Sequence, residues 1–275
     1  MKDRVSGMIY GFPQKSKDDS LTEPCEMSAG WTLHIKDQSW VEDTVHQVDF
    51  IIQTLGLTGD ERILDMACGF GRHSLELARR GFSVVGVDIT QAYIDDARSE
   101  ARKALLNVEF LQSDIRDIGF REEFDVVLNL ADGAIGYFET DEDNLIIFDK
   151  IARSLKQGGK HLMDVCNAEH AEKYFPKRHW QIGSKILALP EFDWDKERRR
   201  MIYGGWEIVF GEVAQRPVPI GRGGGARLYT LGELGEILDN RQMRILRAFS
   251  DYDGREVTAK EMQLLVYSRK ERFST

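Results

Sequence analysis

The stretch ILDMACGFGRHSLELARRGFSVVGVDIT, residues 63–90, decides the fold. RILDMA (62–67) reads as a buried strand, residues 72–80 as a short helix stopped by Gly81, and SVVGVD (83–88) as a second strand. Two strands joined through a helix pair in parallel by a right-handed crossover. The rhythm continues outward. Thr90 is placed to cap a helix with Ile94, Ala97, Ala101, Ala104 and Leu105 on one face. Strands follow at NVEFLQSD (107–114) and FDVVLNL (124–130), then a helix over about 141–156 ended by Gly158-Gly159, then a fifth strand at KHLMDVCN (160–167). Near-continuous apolar strands separated by helices predict a doubly wound α/β sheet covered on both faces.

Before this core, Val41, Val45, Val48, Ile52 and Leu55 mark a helical stripe over 38–57, closed by Gly56. After the fifth strand the rhythm breaks. WQIGSKILALPEF (180–192), RRMIYGGWEIVFGEV (199–213) and the glycine-rich IGRGGGARLYT (220–230) read as extended or hairpin structure. Helix character returns with a capping box of Thr230 and Glu233, and MRILRAFSDY (243–252) and EMQLLVYSRK (261–270) read as two last strands joined by a turn at DYDG. This divides the chain into an N-terminal segment and helix (1–57), a core (58–166 and 226–275) and an insertion (167–225). The two flanking pieces are expected to form a lid over a small-molecule pocket, with Gly221 and Gly223–Gly225 letting part of it move.

The glycine loop has a ligand to choose. In an open parallel sheet, ligands bind beyond the carboxyl ends of the strands. Glycines at 69 and 71 let backbone approach such a ligand, but Ser74 stands where a dinucleotide loop has its third glycine. Asp65 ends the first strand beside the loop, where a pyrophosphate would gain little from a carboxylate. A nucleoside with a cationic amino-acid end and no phosphate, such as S-adenosylmethionine, suits it better. Asp88 ends the second strand and can accept both ribose hydroxyls. Asp114 ends the third and can take an adenine amino group, with Ile115 packed on the ring. Each acid has a plainer alternative, Asp88 as a helix cap and Asp114 as a turn residue. Three at successive strand ends favour the ligand.

These residues resemble the class I S-adenosylmethionine-dependent methyltransferases over roughly residues 40–270. LDMACGFGRHSLELARRGFSVVGVDIT is similar to the family's first two motifs, SDIRDI to its adenine-side motif, and FDVVLNLADGAIGYF to the segment lining the methyl-transfer site. ARSLKQGGKHLMDVCN is similar too, with Gln157 where most members have proline. The set GYF, LKQGGKHLMDVCN, RLYTLGEL and EMQLLVYSRK resembles a bacterial small-molecule subgroup. The resemblance implies a seven-stranded, mainly parallel sheet with an antiparallel last strand. It implies S-adenosylmethionine as cofactor, S-adenosylhomocysteine as product and no metal. It also implies that Asp65, Ala67, Gly69 and Gly71 contact the methionine half, Asp88 and Ile89 the ribose, Asp114 and Ile115 the adenine, and Asn129 the reactive end. DNRQM (239–243) departs from the family's glycine-led turn.

Methyl transfer needs a base only where the acceptor is protonated, so no catalytic dyad is required. Acceptor-side candidates are Trp40, Tyr137, His170 and Arg227, with Trp31, His34, Asp132, His179, Trp206 and Tyr229 behind them. His170 is the first to test as a base. Arg72 and His73 open the helix after the loop, either as surface residues or as ligand contacts.

The 275 residues carry a net charge of −9, which disfavours nucleic acid because phosphate backbones are bound through cations. In DKERRR (195–200), Lys196 and Arg198–Arg200 interleave with acids and read as a charged hairpin tip. Cys25, Cys68 and Cys166 lack paired spacing, the first residues lack a signal-peptide run and no stretch suits a membrane, so a reduced, cytoplasmic protein is expected. Three readings stand. The first is a methyltransferase acting on a small molecule, the second uses the same cofactor on RNA or protein, and the third is a binding protein of the same fold without catalysis. A nicotinamide oxidoreductase comes last.

Overall fold

The computed structural model describes residues 33–219 and 224–271. Trp31, Cys25, Gly221, Gly223 and the rest of the expected N-terminal segment up to residue 32 lie outside it. The first helix, α1, spans Thr44–Leu55 and ends on Gly56 in the left-handed conformation; two short 3-10 turns, Leu33–Asp37 and Ser39–Val41, precede it where a longer helix was expected.

The core then alternates: β1 Arg62–Met66, α2 Arg72–Arg79, β2 Ser83–Asp88, α3 Gln91–Lys103, β3 Val108–Gln112, β4 Phe124–Asn129, α4 Asp141–Ser154 and β5 Leu155–Cys166. After the insertion come α6 Leu231–Asp239, β11 Met243–Phe249 and β12 Gln263–Lys270. The seven strands lie in the order β11-β12-β5-β4-β1-β2-β3. β1 through β5 are parallel, and β12 runs antiparallel to both β5 and β11. This is the seven-stranded doubly wound sheet that the sequence predicts, and its strand order reverses between β1 and β4, the place where such sheets bind ligands.

The alternation in the sequence explains the layers. Ile63, Val84, Val126, Leu128 and Leu162 face α1 and α2, packing with Val48, Ile51, Leu55 and Leu77. Leu64, Met66, Val85, Val87 and Val127 face the other way, onto Phe148, Ile151, Leu234 and Leu238 of α4 and α6. Three local expectations change. α4 stops at Ser154 rather than near 156, because Leu155 turns extended and pairs with Phe124 while Glu122 and Glu123 N–H groups take the carbonyls of Arg153 and Ser154. Thr90 does not cap α3 through its side chain; its N–H donates instead to Asp88. The turn expected at DYDG forms, with the Gly254 N–H on the Asp251 carbonyl, but within a longer connection, residues 250–262.

The insertion is a short helix, α5 Ala168–Tyr174, followed by a separate antiparallel sheet. Its strands are β6 Lys177–Arg178, β7 Gln181–Ile182, β8 Ile186–Asp195, β9 Arg200–Val209 and β10 Gly225–Arg227. β8 and β9 form a ten-residue hairpin, β6 and β7 add to β8, and β10 adds to β9, so this sheet runs two residues past 225. At the hairpin tip, Arg199 pairs with Glu172 and Glu233, and Arg200 donates to the carbonyls of Phe138 and Gly225.

One close approach fastens this second sheet to the first. The Arg227 N–H donates to the Gly136 carbonyl at 2.7 Å, in the segment after β4. Gly136 has φ +85°, and a Cβ there would lie 2.0 Å from the Arg227 carbonyl oxygen. Gly136→Ala therefore combines a left-handed penalty with a clash, and should cost about 2–4 kcal/mol. Gly119→Ala, with nothing near its side-chain position, should change stability by less than about 0.5 kcal/mol. Urea unfolding midpoints compare the two; equal midpoints would contradict the packing argument.

Candidate functional site

β1 delivers the chain into a loop in which Ala67, Gly69 and Gly71 all have positive φ (56°, 57° and 75°). The loop is tied down by Cys68 N–H to the Val87 carbonyl and by Gly71 N–H to the Cys68 carbonyl. Its two glycines do different work. A Cβ on Gly69 would meet nothing within 4 Å, so this is the open side where a ligand can approach. A Cβ on Gly71 would lie 2.7 Å from the Phe110 ring, so that glycine sets how closely α2 packs on β3. Gly69 thus faces open space, whereas Gly71 is packed against the Phe110 ring.

Asp88 is buried, with one carboxylate oxygen accepting the Gly69 N–H at 2.9 Å and the other the Thr90 N–H at 2.8 Å. The capping and ligand roles are therefore compatible, since a carboxylate has about four acceptor sites and two remain. Burial raises its pKa against those two bonds. Tyr93, buried beside it, meets Phe70 edge-on. Ile89 follows, its carbonyl accepting from Gln112.

Asp65 is sealed under the loop and accepts the Ser74 hydroxyl at 2.6 Å. Burial pushes its pKa up to about 6, opposed by Ser74 and by the nearby charge of Arg72. Ser74 thus has a positive reason to replace a glycine. Asp114 makes a turn: its two oxygens accept the Arg116 backbone N–H and guanidinium, which lies 4.1 Å over Phe138. Burial opposes it, but Arg116 holds the Asp114 carboxyl below the usual range. Ile115 is buried in the core.

Asn129 ends β4. Its amide donates to the Gly133 carbonyl, while its buried Oδ1 has no hydrogen-bond partner among the described residues. Four consecutive residues, Ala131 to Ala134, then adopt left-handed conformations. Asp164, near the end of β5, holds this turn: its carboxylate accepts the Ala131 N–H and its carbonyl the Asp132 N–H. Asp164 also accepts from Tyr252 at 2.9 Å and from Gln263. Burial raises it to about 6 as well. Sequence reasoning missed Asp164, although it is a fourth acid at the carboxyl end of a parallel strand.

The acceptor-side candidates part company. Tyr137 is within 3.4 Å of Asp132, on the turn that follows β4. Trp40 is buried with its ring 4.8 Å from the Arg72 guanidinium, beside the loop. Arg227 is engaged elsewhere, with Glu233 at 2.7 Å, the Leu228 carbonyl and the Tyr229 ring, so it fixes the entry to α6. His170 leans on Tyr174 and Phe175, with Nδ1 on the Ala259 carbonyl and Nε2 buried without a partner. Burial lowers its pKa. His179 stacks on Phe192.

The 33–37 segment makes contacts to both α3 and β8. Lys36 reaches Asp96 on α3 at 2.8 Å and lies 5.9 Å from the Phe70 ring. Asp37 accepts from Ser184, Lys185 and Ile186 at the start of β8. Glu207 on β9 acts electrostatically on Tyr93, and His34 acts on Glu207. Among the described residues no group of three or more His, Cys, Asp or Glu side chains could hold a metal ion.

Residues 63–159 match the family described as a methyltransferase domain. Among curated relatives, the chain is 27% identical over 212 residues to YqeM of Bacillus subtilis (strain 168), whose name places it provisionally among the methyltransferases; the match covers 76% of this chain and 84% of that protein. A shorter match, 38% identical over 109 residues, covers 36% of this chain and 24% of the 23S rRNA (uracil(1939)-C(5))-methyltransferase RlmD of Pectobacterium carotovorum. Among solved structures, an S-adenosylmethionine-dependent methyltransferase from Clostridium acetobutylicum superposes with a TM-score of 0.72 at 19% identity, covering 86% of this chain and 97% of that one. The 1,6-didemethyltoxoflavin-N1-methyltransferase of Burkholderia thailandensis, bound to its namesake and S-adenosylhomocysteine, superposes with a TM-score of 0.58 at 16% identity, over 92% of this chain and 93% of its own. Residues 63–159 form a methyltransferase domain, set in the class I, Rossmann-like fold.

The buried acids give a pH signature. Asp65 and Asp164 hold protons more tightly folded than unfolded, so their contribution is fully present below about pH 4 and gone once the pH passes about 6. Asp65→Asn removes the cost of burying that charge. The ligand-free variant should melt above the parent at pH 7.5 by roughly 3 °C or more, with the gap closing toward pH 4. A lower melting temperature at both pH values would contradict the assignment.

Proposed function

We propose that this enzyme transfers the methyl group of S-adenosylmethionine to a small-molecule acceptor by in-line displacement, in the cytoplasm. The observation that carries the small-molecule reading is the roof. Lys36 reaches Asp96 and the Phe70 ring, and Asp37 ties the same segment to the start of β8, so the chain's own segments would enclose the acid-and-glycine rim. An enclosed rim suits an acceptor of metabolite size. Engagement of Arg199 and Arg200 with internal partners agrees, because it withdraws two of the four cations of the basic hairpin tip from a phosphate backbone. Cys68 and Cys166 are free thiols, which fits a reducing compartment.

The residues present fit the cofactor in chemistry and placement. Asp88 keeps two acceptor sites for the ribose hydroxyls, Ala67 and Gly69 offer a backbone the ligand can approach, and Gly71 keeps the helix beneath it. On this reading Asp65 would meet the amino-acid end, Asp88 and Ile89 the ribose, Asp114 and Ile115 the adenine, and Asn129 the reactive end. When bound, S-adenosylmethionine would supply an electrophilic methyl on a sulfonium, the carbon–sulfur electron pair leaving to sulfur as the acceptor's lone pair takes the methyl. What the protein adds is alignment and exclusion of water. Tyr137 and Trp40 are the acceptor-side residues this reading favours. His170 and Arg227 are kept as weaker candidates, since both rest on internal partners.

Titration calorimetry tests the reading. S-adenosylmethionine and S-adenosylhomocysteine should both bind, and Asp88→Ala, losing two charge-assisted hydrogen bonds, should weaken both by about 100-fold. Pooled metabolites should drive formation of S-adenosylhomocysteine where total RNA does not. Failure of both ligands to bind would end the methyltransferase reading, and turnover on RNA alone would end the small-molecule one.

A further inference from the structure

The insertion sheet has two faces, and the core packs against one of them. In β8, ILALP (186–190) is apolar at consecutive positions rather than alternate ones, the pattern of a strand covered on both sides. Residues directly opposite on neighbouring strands point to the same face, so the register sorts these side chains. Phe192 on β8 lies opposite Tyr203 on β9, and both pack with Ala168 and Ala171 of α5. That is the inner face. The intervening residues form the outer one, where Leu187 lies between Ile182 and Ile208, and Leu189 lies opposite Trp206. β6 and β7 keep a single register along β8, with Arg178 opposite Glu191 and Gln181 opposite Ala188. Trp180 therefore stands opposite Leu189.

The outer face thus carries two adjacent rows of three apolar side chains, Ile182–Leu187–Ile208 and Trp180–Leu189–Trp206. None of the six belongs to an apolar cluster formed among the described residues. Trp180 and Ile182 are 66% and 57% exposed, and Phe210, which continues the outer side of β9, is 46% exposed. Trp206, an acceptor-side candidate in the sequence, is turned away from α5 and the end of β5. A contiguous apolar block of this kind marks a surface that another body covers, whereas single exposed apolar residues need no explanation.

We propose that a second copy of this chain covers the block, the outer faces of two insertion sheets packing on each other about a two-fold axis. Charge selects a second copy. Two chains of net charge −9 repel over most of their surfaces, and a face whose central six residues are uncharged is where they can meet. At its border Arg178 and Glu191 pair at 2.7 Å. A two-fold axis between the two rows lays each row on the other, as an isologous contact requires. The same axis brings Lys185 toward the partner's Glu191, so the rim is complementary around an apolar centre. The area agrees. Ten-residue strands at about 3.4 Å per residue, four strands wide at about 4.8 Å, give a footprint on the order of 600 Å² before side-chain relief, close to the roughly 800 Å² per partner of a stable dimer. The proposal is independent of the cofactor reading above.

Sedimentation velocity on the full-length protein tests it. The unmutated chain should sediment with twice the mass of one chain. Ile182→Lys enters a two-fold interface twice, once from each copy, and should weaken association at least about 100-fold. That side chain is exposed in the single chain, so the fold does not depend on it, and the circular dichroism of the variant should superpose on the parent's. Lys185→Glu, which sets like charge against the partner's Glu191, should weaken association to a smaller degree. Leu246→Lys, equally exposed but on the edge strand β11, should leave association unchanged. An unmutated protein that stays monomeric overturns the proposal and leaves the face to residues 1–32 or to a different protein. A dimer that survives Ile182→Lys overturns it too, and one that dissociates in Leu246→Lys instead places the contact on β11.

Discussion

Charge buried at the carboxyl ends of parallel strands is the constraint on which the rest of this structure depends. Asp65 and Asp164 sit where water is excluded, and the apolar packing of α1 and α2 over the sheet is what excludes it. A carboxylate in such a place is costly unless hydrogen bonds and opposite charge offset it. Ser74, Tyr252 and Gln263 supply the bonds, and Arg72 supplies charge at a distance. The elements that bring them are α2, the 250–262 loop and β12. The site therefore requires the whole sheet to close, including the antiparallel β12 that places Gln263 beside Asp164.

The second constraint is strain in the segment after β4. Residues 131–134 are all left-handed, at about 1–2 kcal/mol for each residue that is not glycine. Such strain persists only where surrounding structure over-determines it, and it concentrates at functional positions. Here Asp164 takes two N–H groups of the turn, and Arg227 clamps its far end at Gly136. The insertion sheet thus does more than roof the site. Through β10 it braces the turn that carries Asp132 and Tyr137, which ties the geometry of the acceptor side to the same sheet that covers it.

The sequence made the repeating part of this architecture legible and the tertiary part less so. Apolar strands alternating with amphipathic helices predicted the sheet, and acids at the ends of β1, β2 and β3 pointed to the site. These signals are local. What the pattern could not separate was the work of Gly69 from that of Gly71, since one faces open space and the other the Phe110 ring, forty residues away in the chain. The helix before β5 was read too long because Gly158-Gly159 looked like its stop, whereas pairing of Leu155 with Phe124 ends it earlier. Arg227 and His170 looked available in a sequence and prove to be engaged by Glu233 and by the Ala259 carbonyl. Asp164 and Arg72 were in plain view, but their meaning depends on register across three strands and on a helix that arrives from the N-terminal side.

A crystal structure of the complex with S-adenosylhomocysteine tests the central claim most directly. The account predicts ribose hydroxyls on Asp88, backbone contact at Gly69, and the amino-acid end beside Asp65. A nucleoside lodged away from Asp88, or an amino-acid end pointing out of the fold, would contradict it.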